Sequence, residues 1–331
     1  MSFRVIFRCD GNAETGLGHL SRCINLARNM QLEDRKIQIF FWGDYDRFAR
    51  QLLIRYGLSL LPFEPPPGNE RGVDATLKVC VNFDMLLLDS YTIDQKYIDG
   101  LKQQPCKLAL FDDDQRLDLR QADLVICFRA NAELLDYGAR HQLLGPSFLP
   151  VKPELRLLRE RNLNLHPERL PLRILVFMSG GALGMKYLSS ILDVLASSGR
   201  KISYLSKNAA PSYIGYNANH LSLTADMETV YAEADFVVCG GGLTKYECAF
   251  SGLVNACISL TNLQSNDTEE MARQGLTLDL GAAIDFEYGR VKREIMEFID
   301  DPIALLGQRK NFASKISDDG SSKIVRTILS L

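Results

Sequence analysis

Short apolar runs alternate with amphipathic stretches along most of the chain. Phe3–Phe7 reads as a first strand, and Leu20–Met30 carries Leu20, Ile24, Leu26 and Ala27 at helical spacing. Gln38–Trp42 is the next strand, a helix follows around Asp46–Tyr56, and Ser59–Phe63 is a short strand. The segment Glu64-Pro-Pro-Pro-Gly-Asn after it can only turn. Met85–Leu88, Leu108–Phe111 and Leu124–Cys127 are three further runs without polar interruption. Such runs, separated by helices, mark strands of a parallel sheet covered on both faces.

The rhythm breaks between Pro150 and Leu172, a stretch rich in Arg, Glu, Asn and Pro that reads as a connection with some local helix. It then restarts with strands at Ile174–Met178, Lys201–Leu205, Phe236–Cys239 and Ala256–Leu260. Helices are expected at Tyr187–Ala196, Met227–Ala234 and Thr244–Phe250. No period of a repeat array is present. The expected architecture is α/β: two Rossmann-like parallel-sheet domains, residues 1–155 and 165–310, facing across a cleft. Residues 311–331 are expected to form a C-terminal helix, with a return to the N-terminal domain as one option. Ligands of open parallel sheets sit beyond the carboxyl ends of the strands, which puts the expected site in that cleft.

At 331 residues the chain is long enough for two cores, and 46% hydrophobic with 24% charged residues is a globular composition. A net charge of -3 offers no basic footprint for nucleic acid or an anionic membrane. No apolar run is long enough to span a bilayer, and Met1-Ser-Phe-Arg-Val-Ile-Phe lacks the marks of a signal peptide, so a cytoplasmic protein is expected. Of the eight cysteines none forms a CxxC pair, and several sit within apolar runs. They are expected to be reduced core residues.

Three glycine loops carry candidate chemistry. The first, Asp10-Gly-Asn-Ala-Glu-Thr-Gly16-Leu-Gly18-His19, joins strand to helix. Gly16 and Gly18 admit close backbone approach. The positive end of the helix disfavours an imidazolium at His19, and a neutral imidazole is what a general base requires. The spacing is not that of a dinucleotide fingerprint, and a plain tight turn with an idle histidine is the alternative. The second loop, Ser179-Gly180-Gly181, could bind an anion but is weak by itself. The third, Gly240-Gly241-Gly242-Leu243-Thr244, follows a buried strand and enters a helix, so its N–H groups and the helix dipole suit a diphosphate. Glu247, a turn later, could accept both ribose hydroxyls; alternatively Thr244 and Glu247 form a capping box.

Taken together these residues resemble the UDP-2,4-diacetamido-2,4,6-trideoxy-β-L-altropyranose hydrolases of pseudaminic acid biosynthesis. These belong to the wider group with the GT-B fold of the UDP-GlcNAc transferase of lipid II synthesis. The resemblance rests on Phe7-Arg8-x-Asp10, Gly16-x-Gly18-His19-x-x-Arg22-Cys23, Leu88-Asp89-Ser-Tyr91, Phe111-Asp112-Asp113, Ser179-Gly180-Gly181, Gly242-x-Thr244-x-Tyr246-Glu247, Gly252 and Gln264. It implies metal-independent hydrolysis that releases UDP, without a cofactor. His19 would activate water and Tyr91 would lie near the sugar. Arg8, Asp10, Gly16, Gly18, Arg22, Asp112, Asn262 and Gln264 would line the substrate site. Ser179 to Gly181, Gly240 to Thr244 and Glu247 would hold the nucleotide. The implied partner is a UDP-sugar, with the protein a monomer or weak dimer. The chain departs from the family at Leu263-Gln264, where Asn-Gln is usual and Asn262 stands one place off. It departs again at Val151-Lys152-Pro153-Glu154-Leu155, and at Ala182-Leu183, where an aspartate is usual.

Asp112-Asp113-Asp114 could be a metal-binding acidic motif, yet an ordinary solvated turn is the better expectation because no second acidic cluster accompanies it. His141, His166 and His220 read as surface residues. The alternatives to hydrolysis are a GT-B glycosyltransferase using the same donor, a hydrolysing 2-epimerase, and a UDP-sugar-binding protein without turnover.

Overall fold

The structure, a computed structural model, describes residues 2–12, 14–63, 69–165, 170–178, 182–207, 218–224 and 226–331. The expected Pro65–Pro67 turn, His166 and the Ser179–Gly181 turn lie outside them. The chain forms two compact units, Met1–Pro153 with Asp319–Leu331, and Glu154–Asp318.

The first unit runs β1 (Arg4–Cys9), α1 (Gly18–Glu33), β2 (Gln38–Trp42), α2 (Arg47–Arg55), β3 (Ser59–Leu60), α3 (Asn69–Cys80), β4 (Met85–Asp89), α4 (Gln95–Gly100), β5 (Lys107–Phe111), β6 (Leu124–Cys127) and β7 (His141–Leu144). The strands pair in parallel in the order β3-β2-β1-β4-β5-β6-β7. Every residue of β4 and β6 is buried, as their uninterrupted apolar sequences require in a sheet covered on both faces. Aspartates start α2 and α4: Asp46 accepts from Ala49 N–H and Asp94 from Tyr97 N–H.

The second unit runs α5 (Leu155–Leu163), β8 (Arg173–Phe177), α6 (Ala182–Leu195), β9 (Lys201–Ser206), β10 (Ala218–Ser222), α7 (Met227–Ala232), β11 (Phe236–Gly240), α8 (Leu243–Phe250), β12 (Asn255–Ser259), α9 (Asn262–Arg273), β13 (Leu278–Ala282), α10 (Tyr288–Ile299) and α11 (Pro302–Lys315). Its parallel sheet has the order β10-β9-β8-β11-β12-β13.

The last stretch is not one helix. Residues 311–315 end α11, and a separate α12 (Gly320–Ser330) packs on α1 of the first unit. Ile324, Val325 and Ile328 of α12 are fully buried. Ser321 Oγ accepts from Val151 N–H (3.1 Å), and a side chain at Gly320 would strike the Ser147 carbonyl. On the other side of each crossing, buried Arg159 of α5 donates to the carbonyls of Phe250 (2.6 Å), Phe312 (3.3 Å) and Ile316 (2.5 Å).

In each sheet the strand order reverses direction at one place, β1 beside β4 and β8 beside β11. Crevices form beyond the carboxyl ends of strands at such points. His19 and Asp89 meet at the first, and Gly240–Gly242 stands at the second.

The eight cysteines are buried and none is in a disulfide. His220 departs from the surface expectation: it lies in β10, stacks on Tyr204 with ring centroids 5.1 Å apart, and its Nε2 is 3.2 Å from the Ser206 carbonyl.

Candidate active site

His19 is the second residue of α1, directly beyond the turn in which Gly16 takes a φ of +71° and donates from its N–H to the Asn12 carbonyl (2.9 Å). Arg22, one turn on, presents its side chain on the same helix face. Both point at Asp89, the last residue of β4. His19 Nδ1 lies 2.5 Å from Asp89 Oδ1, and Arg22 donates to both oxygens of the same carboxylate, from Nε (2.6 Å) and Nη2 (2.5 Å). Arg22 Nη1 also donates to both oxygens of Asp113, at 2.9 and 2.8 Å. The Tyr91 hydroxyl donates to Asp113 Oδ2 (2.7 Å), and its ring meets the His19 imidazole edge-on with centroids 4.4 Å apart. Tyr91, Asp113, Arg22, Asp89 and His19 are thus one continuous chain of contacts.

The electrostatics follow from burial. The Asp89 and Arg22 side chains are 1% and 6% exposed. Burial opposes Arg22's charge, but Asp113 and Asp89 overcome it and hold the guanidinium well above its ordinary range. Burial likewise works against the Asp89 carboxylate; Arg22 first, then His19, brings its pKa down to about 2. An ionised Asp89 has no proton to give, so His19 Nδ1 must be the donor in their contact, and in the neutral ring Nε2 then carries the lone pair. Burial and the neighbouring Asp113 push the Tyr91 phenol far up, which keeps it a donor.

Asp112 and Asp113 part company. Asp112 Oδ1 accepts from the N–H groups of Asp114 (3.1 Å) and Gln115 (2.6 Å) and from the Tyr137 hydroxyl (2.9 Å), holding a turn in which Gln115 has a φ of +51°. Both aspartates are 8% exposed, so the solvated turn expected here is wrong: ion pairing and hydrogen bonds, rather than water, satisfy these carboxylates. Arg116 fastens the adjoining loop by donating from Nη2 to the carbonyls of Tyr91 (2.8 Å) and Ile93 (2.9 Å). His19, Arg22, Asp89, Tyr91, Asp113 and Arg116 line a recess with about 10 Å³ of space for the centre of a water molecule.

Arg8 and Asp10 make a contact group of their own. Arg8 Nη1 donates to Asp10 Oδ1 (2.6 Å), which also accepts from Asp44 N–H (2.8 Å), and the guanidinium lies over Phe63, 4.7 Å from its centroid.

In the second unit the loop after β11 has distinct demands at each glycine. A Cβ at Gly240 would lie 2.1 Å from the Met178 carbonyl oxygen, and one at Gly241 would lie 2.7 Å from Gln264 Cβ. Gly242 meets nothing within 4 Å and is exposed. Packing requires the first two glycines, while the third leaves the surface open where α8 begins. That helix starts at Leu243, with Gly242 as its cap and no side-chain capping bond. Thr244 and Glu247 therefore do not form a capping box; Glu247 Oε2 accepts instead from the Tyr231 hydroxyl (2.7 Å). Asn262 opens α9, which Thr261 caps, and Gln264 Oε1 accepts from Leu260 N–H (2.8 Å) while its side chain packs on Gly241.

Beneath the loop, Lys245 of α8 is fully buried, its Nζ 2.8 Å from Asp267 Oδ2 and 2.8 Å from Thr268 Oγ1 of α9. The Tyr246 hydroxyl donates to the other Asp267 oxygen (2.6 Å). Among the described residues no group of three or more His, Cys, Asp or Glu could hold a metal ion, and no helix is long and apolar enough to cross a membrane.

Asp89, Tyr231 and Lys245 received no role from the sequence, and Asp113 entered only within the acidic run Asp112-Asp113-Asp114. Asp89 had one available signal, a carboxylate closing an otherwise apolar strand; Tyr231 and Lys245 had none.

Solved structures of low sequence identity share the arrangement of both sheets. MurG of Acinetobacter baumannii superimposes with a TM-score of 0.71 at 15% identity, covering 99% of this chain and all of that one. The fold is GT-B. The glycosyltransferase SsfS6 of Streptomyces sp. SF2575, in complex with thymidine diphosphate, gives 0.62 at 12% identity over 99% of this chain and all of its own. By sequence, an uncharacterized protein of Methanocaldococcus jannaschii, MJ1062, is 20% identical in an alignment 324 residues long that covers 89% of this chain and 66% of that protein. No family model matches.

Proposed function

We propose that this GT-B chain hydrolyses a nucleotide sugar, releasing UDP from a UDP-linked deoxy diamino sugar of the pseudaminic, nonulosonic acid class. The observation that carries the reading is His19 Nδ1 at 2.5 Å from the buried, ionised carboxylate of Asp89, a contact that in the neutral ring leaves Nε2 as the proton acceptor. In the proposed step a water oxygen bonds to the anomeric carbon as the bond from that carbon to the diphosphate oxygen breaks. The water's proton passes to His19 Nε2, and UDP leaves as the anion. Asp89 and Asp113 with Arg22 carry one net negative charge, which the imidazolium formed in this step balances. The recess beside His19 has room for a water molecule, the nucleophile of this step. Tyr91 shields the imidazole edge, and Gly240 to Thr244 with Glu247 receive the diphosphate and ribose.

The test is UDP release from a panel of UDP-amino sugars. Release from at least one is expected, with His19→Gln lowering kcat about 10³-fold or more and leaving UDP affinity near that of the parent. Absence of release across the panel by a protein that binds UDP overturns hydrolysis, and undiminished His19→Gln turnover overturns the assigned base. The likeness to glycosyltransferases motivates a second reading, transfer of the sugar to an acceptor hydroxyl or amine; a turnover rate that requires an added acceptor would establish it instead.

A further inference from the structure

Tyr231 is the penultimate residue of α7, a short helix packed before β11, and none of its surface reaches solvent. A phenol in that position must find an acceptor, because a buried hydroxyl without one costs stability. It finds Glu247 Oε2 at 2.7 Å. Burial and then the Glu247 charge push the ionisation of Tyr231 well up, so the hydroxyl remains a donor throughout the working pH range. Glu247 is half-buried and stands one turn into α8, beyond the Gly240–Gly242 loop. Its long side chain has three rotatable bonds before the carboxylate, and a hydrogen bond from a rigid, buried partner selects one orientation of the plane. Each carboxylate oxygen has two lone pairs, so acceptance from Tyr231 is compatible with acceptance from a ligand.

We infer that Tyr231 is a positioning residue for ribose recognition: it holds the Glu247 carboxylate in the plane that receives the two ribose hydroxyls of a nucleoside diphosphate. The inference rests on the proposed nucleotide role of Glu247. Tyr231 touches no ligand in this scheme and acts through the carboxylate alone. Phenylalanine preserves the packing and removes only the donor, so Tyr231→Phe separates orientation from shape.

The experiment is calorimetric titration of the full chain with UDP and with 2′,3′-dideoxyuridine diphosphate, which lacks both hydroxyls. The parent protein is expected to prefer UDP. Tyr231→Phe is expected to weaken UDP about tenfold, the size of a charge-assisted hydrogen bond lost, and to leave the dideoxy analogue unchanged. In a Glu247→Gln background the same substitution is expected to add little. Equal weakening of both ligands, or an unaltered preference for UDP, overturns the role of Tyr231. A parent that binds UDP and its dideoxy analogue equally well overturns the ribose role of Glu247 itself, and a parent that binds neither overturns the nucleotide reading.

Discussion

Replacing Asp89 by asparagine tests the electrostatic account of the first unit independently of any substrate. The carboxylate is held at about 2 against an ordinary 3.8, a gap equivalent to about 2 kcal/mol of folding stability at neutral pH. Because the folded value is the lower one, this stability is present above pH 3.8 and is lost as pH falls toward 2. About 1 kcal/mol of it is gone by pH 3. Asparagine also withdraws one of the carboxylate oxygens serving Arg22 and His19, so the total loss at pH 7 is expected to be about 3–5 kcal/mol, the cost of breaking a buried ion pair from one side. Urea unfolding followed by Trp42 emission is the assay. Trp42 is the single tryptophan and lies in β2, so its signal reports the first unit. The stability gap between parent and Asp89→Asn should narrow by about 1 kcal/mol between pH 7 and pH 3, since other carboxylates titrate in both proteins and cancel. A gap that stays constant or widens on acidification refutes the argument that Arg22 and His19 keep Asp89 ionised.

The remaining predictions concern the second unit. Gly242→Ala should leave the thermal midpoint unchanged, because nothing lies within 4 Å of the added carbon, yet weaken UDP binding measured by calorimetry about tenfold or more by crowding the diphosphate. Gly241→Ala should lower both, since its Cβ would press on Gln264. Lys245→Met should destabilise by about 3–5 kcal/mol by taking the cation away from the buried Asp267 carboxylate, and a Lys245→Met, Asp267→Leu double variant should recover most of that in denaturant titrations.

The legible parts of the fold are those buried on both faces. Phe236–Cys239 and Leu124–Cys127 announce themselves as strands because no residue in them meets water. β7, β10 and β13 escape notice because each is the outermost strand of its sheet, where one side of the ladder is open and polar residues are tolerated, as in Ala218-Asn-His-Leu-Ser222. The helices that follow β12 and β13 were absent from the sequence pattern for a similar reason, being half-exposed and mixed in composition. At the site, His19 is legible through the glycines before it. Its dependence on Asp89 is not, because the two stand 70 positions apart in the chain and only the parallel pairing of β1 with β4 brings them together. Thr244 and Glu247 show the converse. Their spacing matches a capping box, but the helix begins two residues earlier than that motif needs, and a buried tyrosine claims the carboxylate.

The second unit is one unbroken segment set into the first, whose final helix comes after it in the chain. During synthesis the inserted segment can therefore close its own core while its host is still incomplete. Until Ile324, Val325 and Ile328 arrive, α1, the helix that carries His19 and Arg22, has no cover on the side where α12 docks. Completion of the face beneath His19 thus waits on α12, which comes in the chain after the whole of the second unit.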